Sequence, residues 1–548
     1  MKKRICIFVL CVFFGGETVL PPVFGVGGVY SQTKHGNTTS GVLRSSVIPN
    51  DVSTYPRSHC IHCHEQHGSV NGSSYIPFPY LLFNANNNTL CYDCHTNNGS
   101  AQIYHGSVNY DLSIHKTSAS ALWPGPTPVA RTGVGNQGLC LNCHNPHGYK
   151  DGAFSTPIKN MAFAKEENLC LTCHDAGGPA PAAKDINTPI AKAAKHPVAT
   201  YLGVHGIPET TTASFSWTTN KHVECVDCHN PHRVQSTLHT AGVNTIANTS
   251  PLYGTWGVEV NGAWPAIWTQ PVSWLRYEPP TYPNGAAKEY QICFKCHSWY
   301  AFGALGAPTT TLPTGSGGNV TDQAWEFNPN NKSMHPIVLT LAAAAGTTAP
   351  KTLAAANQLT AAWTAGGTKT MFCSDCHGND STTQGQGPHG SAAPYILKGT
   401  SAGARTYWPT NSAGTLYNLG NNNATNAHLS GLFCMNCHPM RAAAANTWYN
   451  KVHTEHAGSQ GNFTGAPVNN ACIRCHILVP HGGKMSRLIG SSNTGSTMPL
   501  RYAYLGVLSN MYVRRFTKRA AASYNRPDCY ITTPSACNTH GTNAGETW

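Results

Sequence analysis

The sequence predicts a chain that is mostly coil and turns, with a few short helices and minor β, built around bound groups instead of a conventional side-chain core. Three observations lead there. The pentapeptide Cys-x-x-Cys-His recurs nine times. Only 11% of residues are charged, and 53 glycines and 37 prolines punctuate the chain, a composition that looks short of core material and favours loops and single turns. The 28 histidines far exceed what nine motifs use.

Cys-x-x-Cys-His attaches haem c: two thiols form thioethers to the porphyrin and the histidine binds its iron. The first five copies are Cys60, Cys63 and His64; Cys91, Cys94 and His95; Cys140, Cys143 and His144; Cys170, Cys173 and His174; and Cys225, Cys228 and His229. The last four are Cys293, Cys296 and His297; Cys373, Cys376 and His377; Cys434, Cys437 and His438; and Cys472, Cys475 and His476. They absorb eighteen of the 22 cysteines. Zinc or thioredoxin-like sites need no histidine at the fifth position, so those readings are set aside. Nine haem c groups, each with iron, are the expected cofactors, and these apolar plates supply the burial and cross-linking that side chains lack.

Residues 1–28 read as a secretory signal, with Lys2, Lys3 and Arg4 ahead of the apolar run from Ile5 to Phe14. Cys6 and Cys11 fall inside it. No later apolar run approaches the roughly 18 to 20 residues of a membrane helix, so no membrane span is expected. The expected location is secreted, extracellular or cell-surface, with the periplasm as the alternative. The formal charge of +12 is not read as a nucleic-acid footprint, because haem propionates would pair with Lys and Arg. The cluster Arg514, Arg515, Lys518 and Arg519 reads as a solvated face before an anion-binding one.

Four regions follow the signal. Residues 29–240 carry haems one to five. Residues 241–290 form a Trp/Pro-rich insertion with Trp256, Trp264, Trp268 and Trp274, read as a small β-excursion or docking surface. Residues 291–490 carry haems six to nine. Residues 491–548 form a haem-free tail in which Cys529 and Cys537 are expected to pair as a disulfide, the rival being a degenerate tenth site with His540. Helices are expected over 160–173 and after Pro350 through Ala365.

A haem closed by two imidazoles passes electrons and leaves no open position for substrate. His67, His147 and His232 each follow a motif histidine by three residues. Each lies on the wrong side to close its own haem and is expected to reach another. His115, His196 and His335, and then His389 and His481 in Pro-His-Gly, are further expected distal ligands. His453 completes the nine, with His428 and His456 as rivals. His59, His62, His105, His205, His222 and His239 read as structural or supporting, His222 being held in reserve. No Cys-x-x-Cys-Lys motif, the mark of many multihaem reductases, occurs. An electron-transfer protein is therefore expected ahead of an enzyme or an adhesive surface protein.

The motifs come in pairs that share words. Cys60-Ile-His-Cys-His-Glu-Gln-His67 precedes Leu90-Cys-Tyr-Asp-Cys-His95. Cys140-Leu-Asn-Cys-His-Asn-Pro-His147 precedes Leu169-Cys-Leu-Thr-Cys-His174, and Cys225-Val-Asp-Cys-His-Asn-Pro-His232 opens a third unit closed at Cys293. On these words the chain resembles the paired-CxxCH multihaem cytochromes of metal-respiring bacteria, most closely over residues 55–300 and more weakly to residue 481. Within that group it resembles the extracellular cytochromes that polymerise into nanowires. The resemblance implies a homopolymer that moves electrons over long range, with other cytochromes, minerals or electrodes as donors and acceptors. It also implies that His67 ligates a haem of the adjoining subunit; haem two or three of its own chain is the rival, and His35 is a second candidate for the bridge.

Overall fold

The computed structural model describes residues 30–46, 54–65, 78–95, 110–118, 137–148, 166–198, 223–267, 269–278, 281–302, 322–331, 333–343, 363, 366–381, 383–398, 437 and 481–483. The signal segment, Trp268, the 491–548 tail with Cys529 and Cys537, and the helix expected over 350–365 apart from Trp363 lie outside these residues. So do His67 and His453. Of motifs eight and nine only Cys437 is described. Cys434, His438, Cys472, Cys475 and His476 lie outside, and their roles as attachment thiols and iron ligands rest on the sequence alone.

Helices are one turn or little more: α1 (Asn88–Tyr92), α2 (Ile114–Thr117), α3 (Glu166–Leu171), α4 (Asn187–Ile190), α5 (Cys225–Cys228), α6 (Glu289–Cys293), α7 (Trp299–Phe302) and α8 (Gln323–Glu326). Several are short because they are built on a motif and not on an amphipathic stripe. Two cysteines three apart lie on one side of a helical turn, and the turn stops once both are presented. In all seven fully described motifs the histidine N–H donates to the carbonyl of the first cysteine, at 2.8 to 3.0 Å. Motif six is typical: the N–H groups of Cys296 and His297 both donate to the Cys293 carbonyl, at 3.1 and 2.9 Å. That shared turn forms whether the surroundings are α, as at Cys225, or 3-10, as at Cys60, Cys140 and Cys373. Local caps fix where it starts. The Asp227 and Asp375 carboxylates accept the backbone N–H of Glu224 and Phe372, each at 2.8 Å, the reach-back half of a capping box. The helix expected over 160–173 is described as α3, Glu166–Leu171.

Strands occur as three antiparallel pairs: β1 (Ala194–Lys195) with β5 (Gly390–Ser391), β2 (Gly257–Val260) with β3 (Trp274–Tyr277), and β4 (Ser333–Met334) with β6 (Gly482–Gly483). The pairs β1–β5 and β4–β6 join segments far apart in sequence. Each sets a His-containing segment beside a Pro-His-Gly word: His196 N–H donates to the His389 carbonyl, and His335 N–H to that of His481.

The Trp/Pro-rich stretch forms the β2–β3 hairpin, and its described tryptophans pack inward. Trp256, Trp264 and Trp274 cover a cluster of Val258, Tyr290, Phe294, Tyr300, Ala324, Phe327, Ile337, Val338 and Met371 around the sixth motif. A side-chain core is thus present here, although composition suggested that haems would have to replace one. Where ladders are absent, asparagine amides satisfy loop carbonyls that would otherwise be buried unpaired. Asn328 Nδ2 donates to the carbonyls of Pro265 and Ala266, Asn331 Nδ2 to Trp325 and Glu326, and Asn244 Nδ2 to Ile337.

Candidate haem sites

Every fully described motif histidine faces one further histidine. Ring centroids are 6.0 Å apart for His64 and His147, 5.9 Å for His95 and His35, and 5.8 Å for His144 and His232. They are 6.1 Å for His174 and His115, 5.9 Å for His229 and His389, 6.1 Å for His297 and His196, and 6.3 Å for His377 and His481. Iron–imidazole bonds of about 2 Å on either side, plus about 1 Å from each nitrogen to its ring centre, set two axial imidazoles about 6 Å apart. The residues present therefore fit haem iron between each pair, with the two thiols of the motif beside it. The counterparts expected in motifs eight and nine, His438 with Cys434 and His476 with Cys472 and Cys475, fall outside the described residues.

Tautomers agree with that fit. A ring whose Nδ1–H is engaged presents Nε2 as the free donor. His64 Nδ1 donates to the Tyr80 carbonyl at 2.9 Å, His174 to Lys184 at 3.0 Å, His229 to Pro251 at 2.9 Å and His377 to Tyr395 at 2.7 Å. Burial also keeps buried rings neutral, the form that binds metal. It pushes His35, His377 and His481 down to about 4, and His389 to about 3.

The Pro-His words act as clamps for two imidazoles at once. Proline fixes the backbone, its carbonyl accepts Nδ1–H of a second histidine, and the next residue offers its own ring. His115 donates to Pro231 at 2.9 Å while His232 faces His144. His196 donates to Pro388 at 2.6 Å while His389 faces His229. His35 hydrogen-bonds the Pro146 backbone while His147 faces His64. In the Asn-Pro-His copies the asparagine Oδ1 accepts the histidine N–H, at 3.0 Å in Asn145 and 3.1 Å in Asn230, a short turn that aims the ring. The three clamps serve motifs one and two, three and four, and five and six. His335 and His481 meet through β4–β6 as His196 and His389 meet through β1–β5. Cys437 of motif eight lies beside Cys376 of motif seven.

The motifs also touch in sequence order. Cys91 of motif two lies beside Cys140 of motif three, and Cys293 of motif six beside Cys373 of motif seven. Glu289, Cys293 and Cys373 bring ligand atoms within 4.8 Å of one another; both thiols belong to haem motifs, so this group is a junction between attachment sites. Between them α3 packs on α5, joining motifs four and five. Within pairs, Cys63 lies close to Cys94 and Cys143 close to Cys173.

Three features were not read from the sequence as they stand. His35, weighed as a bridge between subunits and left out of the distal set, faces His95 of its own chain. The words Pro79-Tyr80-Leu81 and Pro394-Tyr395-Ile396 form matching turns in which Tyr80, Leu81, Tyr395 and Ile396 all take positive φ, and each aims the tyrosine carbonyl at a motif histidine. Their repetition after motifs one and seven was the available signal. Third, Glu326 holds His481 Nδ1 at 2.6 Å. Of the histidines read as supporting, the His59 ring accepts the Ile61 N–H and His62 bridges Arg44 N–H to the Pro56 carbonyl, while His239 pairs with Asp375 at 2.7 Å. His105, His205 and His222 lie outside the described residues.

The family model of the doubled CXXCH motif matches the chain at residues 56–100 and 133–178, well under half of its length. No curated protein and no solved structure matches the chain. Among the described residues no helix is long and apolar enough to cross a membrane.

Proposed function

We propose that this chain, whose doubled CXXCH motifs mark a haem-binding c-type cytochrome, transfers electrons through nine bis-histidine haems set in sequence order and works outside the cell or at its surface. The observation that carries the reading is the pairing of seven motif histidines with seven others about 6 Å away. Bound haem supplies a one-electron ferric–ferrous couple. The polypeptide supplies two neutral imidazoles per iron, carbonyls that fix their tautomers, and sulfur contacts that keep neighbouring groups close. A reductase of nitrite, hydroxylamine or sulfur oxyanions would need an iron with an open position, and each fully described motif histidine has a second imidazole opposite it. Extended to motif one, the clamp pattern gives His67 an iron ahead of haem one, which supports a polymer.

Carbon monoxide added to the reduced, undenatured protein tests the electron-transfer reading. It is expected to leave the Soret band almost unchanged, with whole-protein mass exceeding the polypeptide by nine haems. Rapid binding at several irons would favour the reductase, and a shortfall of two or more haems would remove the nine-haem wire.

A further inference from the structure

Seven Nδ1 contacts of paired histidines are described, and they are not alike. Six end on backbone carbonyls, of Tyr80, Pro231, Lys184, Pro388, Pro251 and Tyr395. The seventh, from His481, ends on the Glu326 carboxylate at 2.6 Å. Glu326 closes α8 and is 1% exposed. Its position is fixed from several sides: Asp322 caps the helix by accepting the Trp325 N–H, Asn331 holds the Glu326 carbonyl at 2.9 Å, and Phe327 lies against the His481 ring at 4.9 Å. In the preceding clamp His389 takes the place of His481, and its buried Nδ1 has no hydrogen-bond partner and no carboxylate among the described residues. The two clamps otherwise correspond strand for strand.

A carboxylate differs from a carbonyl in carrying net charge and in drawing the Nδ1 proton more strongly. That makes Nε2 a more basic ligand, which favours the ferric over the ferrous ion. Burial strengthens the effect, since little water screens the charge.

We propose that Glu326 is a positioning residue that holds the potential of the haem at motif seven below that of the corresponding haem at motif five, placing a low step in the electron path between motifs six and eight. The inference rests on the bis-histidine reading above. On reduction this haem takes up one electron, ferric to ferrous, and the Nδ1 proton stays between His481 and Glu326.

The test is a spectroelectrochemical titration of the whole holoprotein, wild type against Glu326→Gln. The amide oxygen still accepts the Nδ1–H, as the carbonyls do elsewhere, so a merely structural role would leave the curve unmoved. One electron's worth of the titration is expected to shift upward by about tenfold in its equilibrium, equivalent to 59 mV for a one-electron couple, with spectra still low-spin and inert to carbon monoxide. Superimposable curves would overturn the inference while leaving the bis-histidine reading in place. High-spin wild-type protein would instead overturn that reading. Should the glutamine variant fail to load haem, Glu326→Asp is titrated. It keeps the charge but shortens the reach, and it is expected to raise the same single step; an unchanged curve overturns the inference there too.

Discussion

At the scale of single residues, the chemistry is divided between a side chain that faces iron and a backbone atom that orients it. His64 and His377 show what this costs. The turns that aim the Tyr80 and Tyr395 carbonyls at them put two consecutive non-glycine residues in the left-handed region, a strain of about 1 to 3 kcal/mol per residue sustained at two independent motifs. His35 shows how a single ring completes a site. It is described against His95 with its ring engaged by the Pro146 backbone, and its removal should leave the second haem with one imidazole. For His35→Ala we expect one haem to gain a high-spin ferric signal and to bind carbon monoxide on reduction, the others staying inert. A variant that remains entirely low-spin would show that another group closes that iron.

At the scale of elements, the repeating unit is a clamp joined to two motif turns. The turns were legible because Cys-x-x-Cys-His names its own geometry, and the Asn-Pro-His words because asparagine, proline and histidine sit side by side. The second histidine of the clamp carries the word His-Pro-(Val/Ile) at His196 and His335 but none at His35 or His115. His115, His196 and His335 are read from their place after the second motif of a pair, and His115 and His196 face motif histidines. His35 precedes the first motif and escaped that rule, although it stands 25 residues before Cys60 as His115 stands 25 before Cys140. Glycine completes the clamp at Pro388-His389-Gly390. A Cβ on Gly390 would lie 1.9 Å from the Pro189 carbonyl, closer than any rearrangement of side chains alone could relieve. Gly390→Ala should therefore part β5 from α4 and loosen both His389 and His196. We expect a loss of about 1 to 3 kcal/mol or more, read as a lower thermal midpoint of the low-spin spectrum, with motifs five and six the first to turn high-spin. An unchanged midpoint would mean that the clamp tolerates displacement of its backbone.

At the scale of the whole molecule, two sources of order meet. One is an ordinary apolar core around the sixth motif, which composition hid because it averages a Trp-rich stretch with polar loops. The other is the succession of cysteine contacts, motif two to three and six to seven, with α3 on α5 between them; that succession follows the order of the chain. The clamp pattern also bears on His67, which lies outside the described residues. The first motif of every later pair carries or precedes a histidine that serves the pair before it: His147 for motif one, His232 for motif three, His389 for motif five, His481 for motif seven. Extended to motif one, the same rule gives His67 an iron preceding haem one. In the proposed polymer a second copy of this chain supplies that iron, by a metal bond that would also keep the line of haems unbroken from one subunit to the next. We therefore expect the holoprotein to form filaments when concentrated, and His67→Ala to yield short oligomers or monomers in which one haem per chain gains a carbon monoxide site. Wild-type protein that sediments as a monomer at high concentration would remove the polymer, and intact filaments of His67→Ala with every haem still low-spin would remove His67 from the joint.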